Sequence, residues 1–385
     1  RGTSINNIIS TSNETSPAAE DWDKIWLKNT SVTLDSDDNY SSGTILEYCQ
    51  ILYAEEGLRI DDSSFLLDNC TLSYNKYGIN LRRMNNSIIR NCTIQNNESG
   101  TSIDAAYDDN GSGLYTDNKI LSNTFHSNTG TGLYFSGYKC VATNNLIQNN
   151  ISKDNGGSGM VFGWGNVQSG FTNNTITGNI IYNNSGGGLT VGDDPNTITK
   201  NIICNNAGSG FSISGTYIFT GITLENNIFA NNATGLSLSS VNNSTIRYNT
   251  IVFSTGIGIN APDSYTDQTG NTISYNTVFG SGGNAIELEY GPNVLNYNNV
   301  FNNSGDYIIK VTGTGSFTED AENSYWGTTT ASEIDNLIYD WNDDFELGIV
   351  DYDPWLTTPN TDAPISPPKN VVKQVSNNGI LITWN

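Results

Sequence analysis

Positive charge is scarce in this sequence: 16 Lys and Arg stand against 39 Asp and Glu, for a formal charge of −23. A field of that sign repels phosphate backbones and anionic lipid surfaces, so nucleic acid is excluded as a partner. There is one histidine, His126. A nucleophile relay would have to be built around it, and no partner for it is evident. The five cysteines include no CxxC pair, which excludes a zinc cluster and a dense disulfide framework. No run of about 18 apolar residues offers a membrane span, so membrane insertion is not expected. Charged residues amount to 14%, which leaves Asn, Ser, Thr and Gly to cover the surface. Those are residues of turns and strands rather than helices. The opening "RGTSINNIIS" is neither a signal peptide nor a Met start, so the sequence reads as a piece of something longer.

What is abundant is one polar phrase around one apolar residue. It returns as "NCTIQNN" from Asn91, "NNLIQNN" from Asn144, "GNIIYNN" from Gly178, "KNIICNN" from Lys200, "NNIFANN" from Asn226 and "YNNVFNN" from Tyr297. Aligning the central residues gives Ile51, Leu72, Ile94, Phe125, Ile147, Ile181, Ile203, Phe229, Ile251, Val278 and Val300. The basic unit is about 22 residues, lengthened by insertions at four places. A second apolar position lies before each marker, from Leu46, Leu67 and Ile89 onward. A third follows it, from Leu58 and Ile79 onward, often after a Gly. Three strands of three to five residues with turns fill such a unit, and one unit is then one coil of a solenoid.

Two residues before the marker stands a recurrent Asn: Asn123, Asn145, Asn179, Asn201, Asn227, Asn249, Asn276, Asn298 and Asn323. A buried amide there can bond to the amide of the next coil and to turn backbone, making an internal ladder. In the first three coils Cys49, Cys70 and Cys92 hold this place and are expected to bury as a core column without disulfides.

This pattern resembles the right-handed parallel β-helix proteins of the pectate-lyase-like superfamily. The resemblance implies an all-β, right-handed parallel β-helix of roughly 12 three-strand coils over residues 1–358. A short capping helix is expected after Thr330, with Glu333 as capping partner and Ile334, Leu337, Ile338 and Trp341 at helical spacing. Residues 359–367 read as a Pro-rich linker, and 368–385 resemble the start of a fibronectin type III module. Such modules beside a β-helix imply an extracellular or cell-surface protein with neighbouring domains in a longer chain.

Most insertions follow the third strand, at 104 to 117, 163 to 173, 214 to 221 and 261 to 271. On a solenoid this marks the binding face. Acids gather on that edge: Asp61, Asp62, Asp104, Asp108, Asp109, Asp193, Asp194, Asp263, Asp267, Glu287 and Glu289. The metal candidates are Asp104, Asp108, Asp109, Asp193 and Asp194, for Ca²⁺, which takes six to eight oxygens. Each Asp pair equally suits a solvated turn. Asp340, Asn342 and Asp344 alternate like Ca²⁺ ligands, but Phe345 replaces the glycine such a loop needs, so this is read as a turn.

Tyr107, Tyr134, Tyr138 and Trp164, with Tyr115 beside them, are the carbohydrate-binding candidates, since flat rings grip sugars. A lyase would need a base and a cation beside a uronate, and Arg82, Arg83, Lys139 and Lys153 are the catalytic candidates. His126 follows Phe125 directly and by alternation points outward, away from the insertions. The Gly-His-Gly, Asp-Pro-His and Arg-rich strand elements of the superfamily's enzymes are missing, so no catalytic residue carries over. Two expectations result: an exported module that binds polysaccharide or serves a structural or adhesive role, and, as the alternative, a lyase or hydrolase acting on uronate-containing polysaccharide.

Overall fold

In the phrase Asn226–Asn232 each residue has its own conformational task. Asn226 and Asn231 take the left-handed conformation, φ 57° and 55°. Asn accepts that conformation better than other residues with a Cβ, because its short side chain bonds locally. Asn227 and Asn232 turn their amides inward and are buried, and Phe229 between them lies at the core. The repeated phrase is therefore a strand of three residues, Ile228–Ala230, between two corners.

The computed structural model describes residues 1–103, 114–135, 141–163, 170–193, 196–213, 218–262 and 269–364, and the strands Val372–Ser376 and Gly379–Thr383. Parallel strands stack into long sheets that make up a right-handed β-helix. The first sheet has ten strands, from Ile45–Glu47 to Thr272–Ser274, and the second twelve, from Ile8–Ser10 to Asn299–Phe301. The third face comprises four long strands, Trp22–Lys28, Ala54–Asp61, Tyr77–Leu81 and Ser99–Ile103. It continues in nine shorter ones from Leu133–Phe135 to Ile338–Tyr339. The bonds Gly100 N to Thr131 O and Thr101 N to Gly132 O join the two parts. A further four-stranded sheet, Met84–Asn85 with Leu114–Thr116, Val141–Thr143 and Gly170–Thr172, lies at the corner of the early coils.

Like stacks on like. Ile181, Ile203, Phe229, Ile251, Val278 and Val300 pair in register along the second sheet. All are buried in one continuous hydrophobic core. The glycine before the third strand is needed because the next coil passes close by. A Cβ on Gly188 would lie 2.3 Å from Ile203 Cγ2 and 2.6 Å from the Gly210 carbonyl oxygen.

The amide ladder exists, and there are three of them among the described residues. One runs from Asn123 through Asn150, Asn179, Asn201, Asn227, Asn249 and Asn276 to Asn298. In it each Oδ1 accepts the backbone N–H of the preceding member at 2.8 to 3.0 Å. Asn298 N donates to Ser324 Oγ, so Ser324, not Asn323, is the next rung. A second column holds Asn118, Asn145, Asn174 and Asn196. After an interruption at Ile222 it resumes as Ser244, Asn271, Asn293 and Glu319. A third runs from Asn75 through Asn97, Asn128, Asn155, Asn184 and Asn206 to Asn232.

Asn145 thus belongs to the second column, and the sequence alignment slips by five residues at this coil. Phe125 stacks on Ser152, and Ser152 on Ile181, whereas Ile147 pairs with Ile120 and Ile176 in the first sheet. The cause is polar: Ser152 fills a fully buried core position by donating to the Gly159 carbonyl at 2.7 Å. A pattern of apolar markers cannot detect it.

Cys49, Cys70 and Cys92 are free thiols that begin the first ladder. The N–H groups of Cys49 and Cys70 donate to the sulfurs of Cys70 and Cys92 at 3.4 and 3.5 Å. Cys92 N donates to Asn123 Oδ1 at 2.9 Å. Each sulfur in turn donates to the carbonyl two residues back. A thiol, with a weak donor and a weak acceptor, here does the work of an amide.

The capping helix is shorter than its apolar spacing predicts, covering only Ala331–Asp335, and Thr330 makes no side-chain cap bond. Ile338 and Tyr339 are instead extended, pairing with Ile309 and Lys310 as the last rung of the third face. After it the chain turns back along the outside of the second sheet. Asn360 N donates to Asn299 Oδ1 at 2.7 Å, Asn299 Nδ2 donates to the Asn360 carbonyl at 3.0 Å, and Thr277 Oγ1 donates to the Pro364 carbonyl at 2.5 Å. The strands Val372–Ser376 and Gly379–Thr383 pair as an antiparallel hairpin.

Candidate functional site

Strands in the two long sheets are mostly three residues, enough to point one side chain inward. Trp22–Lys28 and Ala54–Asp61, at seven and eight residues, carry several outward positions each. Register then decides which outward side chains meet. Trp26 pairs with Arg59, Arg59 with Asn80, and Asn80 with Ser102. Lys28 pairs with Asp61, and Lys24 with Glu56.

The result is a lattice of charge on one outer face. Glu56 accepts Arg59 Nη1 at 3.0 and 3.2 Å and Asn80 Nδ2 at 3.0 Å, with Lys24 Nζ at 3.5 Å. Asp61 Oδ2 accepts Trp26 Nε1 at 2.7 Å and Arg59 Nε at 3.3 Å. Its Oδ1 receives no hydrogen bond from the described residues, and Arg82 Nε lies 3.7 Å from it. Arg83 Nη1 lies 2.9 and 3.0 Å from the two oxygens of Asp62. Burial works against the charge on Arg59, but Glu56 and Asp61 outweigh it and hold its pKa above the ordinary arginine value. The pKa of Lys24 is raised too, first by its hydrogen bond with Asp23.

Over this lattice lies the indole of Trp26, 48% exposed. Lys28 Nζ stands 4.6 Å from its ring and the Arg59 guanidinium 6.0 Å. Holding an indole between cations while its N–H is bonded to a carboxylate fixes its plane. Lys24, Lys28, Arg59, Arg82 and Arg83 here meet Asp23, Glu56, Asp61 and Asp62 on comparable terms, in a chain that is otherwise strongly acidic. Chemically the face offers a flat apolar platform, oriented carboxylate acceptors and guanidinium donors, the set that matches a sugar ring with hydroxyl or carboxylate substituents.

Of the residues expected from sequence, Arg82 and Arg83 belong to this lattice. Tyr134 is half-buried on the same outer face, two strands further along from Asn80, and its N–H donates to Thr101 Oγ1 at 2.7 Å. Lys153 is not brought to them. It lies on the second sheet beside His126, over the Tyr182 ring at 5.8 Å and 3.5 Å from Asp154. His126 points outward there, and burial, then the Lys153 charge, lowers its pKa. Asp193 is buried, its Oδ2 accepts Phe171 N at 3.1 Å, and bare Gly163 leaves room for that carboxylate. This is a structural task that turns the carboxylate inward. Tyr107, Tyr138, Trp164, Lys139, Asp104, Asp108, Asp109 and Asp194 lie outside the described residues. Among the described residues no group of three or more His, Cys, Asp or Glu is placed to hold a metal.

Sequence reasoning missed Trp26, Lys24, Lys28, Glu56 and Arg59. The one sign of them in "WDKIWLK", "AEEGLRID" and "YGINL" is the concentration of charged residues in the first two stretches, without strict alternation. Which of these side chains meet depends on the register of one coil on the next, including the shift between Lys24 and Ile25.

The family model described as "Right handed beta helix region" matches residues 24–176 and 167–323. No curated protein matches the chain. Among solved structures, the Azotobacter vinelandii mannuronan C-5 epimerase AlgE4 A-module is 14% identical. The alignment covers 90% of this chain and 91% of that one, with a TM-score of 0.43. The periplasmic alginate epimerase AlgG is 9% identical over 75% of each chain, TM-score 0.38. Pectate lyase Pel9A is 10% identical over 94% of this chain and 72% of that one, TM-score 0.37. No residue role is carried across from any of them.

Proposed function

We propose, from the premise that this chain belongs to the right-handed β-helix family, that it is an exported module which binds polysaccharide on the outer face of its four long strands. The observation that carries this reading is the exposed, immobilised indole of Trp26 set directly against bonded carboxylates and guanidiniums. Sugar rings present an apolar C–H face and a rim of hydroxyls, and this surface has a counterpart for each. Asp61 is buried beneath the indole, where it accepts Trp26 Nε1 and Arg59 Nε and so orients both for a ligand above them. Local cations favour acidic glycans, uronates among them, because the rest of the surface repels anions. The hairpin at the C-terminal end fits the start of a fibronectin type III module in a longer surface protein.

The test is retention on affinity gels carrying uronate-containing and neutral polysaccharides, with and without Ca²⁺, while unsaturated products and new reducing ends are monitored. Retention on a uronate gel is expected, weakening as salt rises through about 0.5 M. Trp26→Ala should lower affinity about tenfold with circular dichroism unchanged. Equal retention of Trp26→Ala on the uronate gel, or no retention of the parent there, would overturn the site. Unsaturated ends or new reducing ends would replace binding alone with the lyase or hydrolase reading.

A further inference from the structure

We infer that the C-terminal end of the β-helix carries a second saccharide site, selective for a neutral sugar, in the crevice between Trp341, Phe345 and Phe317. The inference rests on the reading of this chain as a glycan binder but uses none of the same residues. The crevice is open to solvent and measures about 410 Å³, within the range of small-ligand sites. Phe345 is 76% and Trp341 44% exposed. Their rings stand 5.1 Å apart at 69°, forming two walls. Two large aromatic side chains left in water on adjoining walls need a reason, because burying them would be favourable.

The turn that carries them is fixed. Asp340 Oδ1 accepts Asn342 N and Oδ2 accepts Val350 N, both at 2.9 Å. Trp341 N donates to the Gly348 carbonyl at 3.0 Å, and Glu346 N to Asp344 Oδ1 at 3.1 Å. The aspartates of this segment thus hold the turn, and the aromatic rings are what it presents. Phe317 forms the floor and is seated on bare Gly348, where a Cβ would come within 2.2 Å of its ring. The walls are therefore already in place before anything binds, which lowers the entropy cost of binding.

The remaining lining chemistry names the ligand. Ser316, Thr318 and Glu346 also face the crevice, and no hydrogen bond joins their side chains to another described residue. Two hydroxyls and a carboxylate beside aromatic faces suit the hydroxyl rim of a sugar ring. No Lys, Arg or His lines the crevice, and Asp343 and Asp344 adjoin Glu346. An anionic ring would meet like charge here, whereas at Trp26 it meets arginines. The two sites thus divide by charge: acidic glycan on the long strands, neutral glycan at the cap.

The test titrates the full chain with neutral oligosaccharides of glucose, mannose, xylose and galactose, and separately with an oligouronate, by calorimetry. At least one neutral oligomer should bind, with affinity insensitive to about 0.5 M salt. Trp341→Ala and Phe345→Ala should each weaken it about tenfold, and Trp26→Ala should leave it within about twofold. Oligouronate binding should show the converse pattern. Both cap side chains are exposed, so truncating them leaves the fold intact, and an unchanged thermal melt verifies this. No binding of any neutral oligomer, or binding indifferent to both cap variants, overturns the inference while leaving the Trp26 reading standing. So does sedimentation in which Trp341→Ala instead abolishes a dimer, which would assign the crevice to a second copy of this chain.

Discussion

Glu319 ends the second buried column, where its two carboxylate oxygens accept the backbone N–H and the side-chain amide of Asn293 at 2.8 and 3.2 Å. Every other described member of that column is neutral. Burial raises the Glu319 pKa to about 8, against the pull of the Asn293 hydrogen bonds, from 4.5 for a free carboxyl. The folded state therefore holds this proton more tightly than the unfolded chain. Stability from neutral Glu319 is fully present below 4.5 and is lost as pH rises to about 8. Glu319→Gln abolishes the loss. The variant should match the parent near pH 4 and exceed it near pH 9 by on the order of 2–4 kcal/mol, read from guanidinium midpoints. An advantage independent of pH would refute the assignment. Neighbouring corners show the same economy of means. Tyr248, Tyr275 and Tyr297 occupy left-handed corners that Asn fills elsewhere. They offset the strain by stacking at 5.1 and 4.9 Å.

At the scale of the element, a three-residue strand has too few hydrogen bonds and too little apolar area to stand alone. It holds because its two corners are tied to the coils on either side. Asn179 illustrates the tie. Its Oδ1 accepts Asn150 N and Nδ2 at 2.9 and 3.0 Å, and its own Nδ2 donates to Ile147 O and Asn201 Oδ1 at 3.0 and 2.9 Å. Asn179→Ala leaves those donors and acceptors buried and unmatched, with an expected loss on the order of 2–4 kcal/mol. Asn303 is half-buried near the end of the stack, where water reaches. The same substitution there should cost less than about 1 kcal/mol. Equal costs at the two positions, measured by chemical denaturation, would mean that the ladder is decoration on a core that needs only its aliphatic columns.

At the scale of the whole molecule, the stack turns outward two kinds of surface: uniform short strands with Asn, Ser and Thr, and the long-stranded face with its charged lattice. The segment after the cap adds a third feature by lying back over the second sheet at Asn299 and Thr277. Ending the chain after residue 357 removes the Asn360 and Pro364 contacts. It should lower stability by on the order of 1–3 kcal/mol while leaving Trp26-dependent glycan binding unchanged. An unaltered unfolding midpoint would show that the segment merely rests there.

The coil, its interior and one of its three amide columns, apart from the places of Asn145 and Asn323, were legible in the sequence, because inward positions face a nearly constant environment and so repeat. Cys49, Cys70 and Cys92 could be placed with Asn123 for the same reason. Ser152 could not, since one polar residue in a core column looks like a turn until its bond to Gly159 is seen. Nor could the meeting of Trp26, Arg59 and Asp61. Outward side chains carry no shared pattern, and their contacts depend on lateral registry between coils that insertions shift. Composition and periodicity therefore determined what the protein is built from, and only the stacking of one coil on another decided which charges and rings became neighbours.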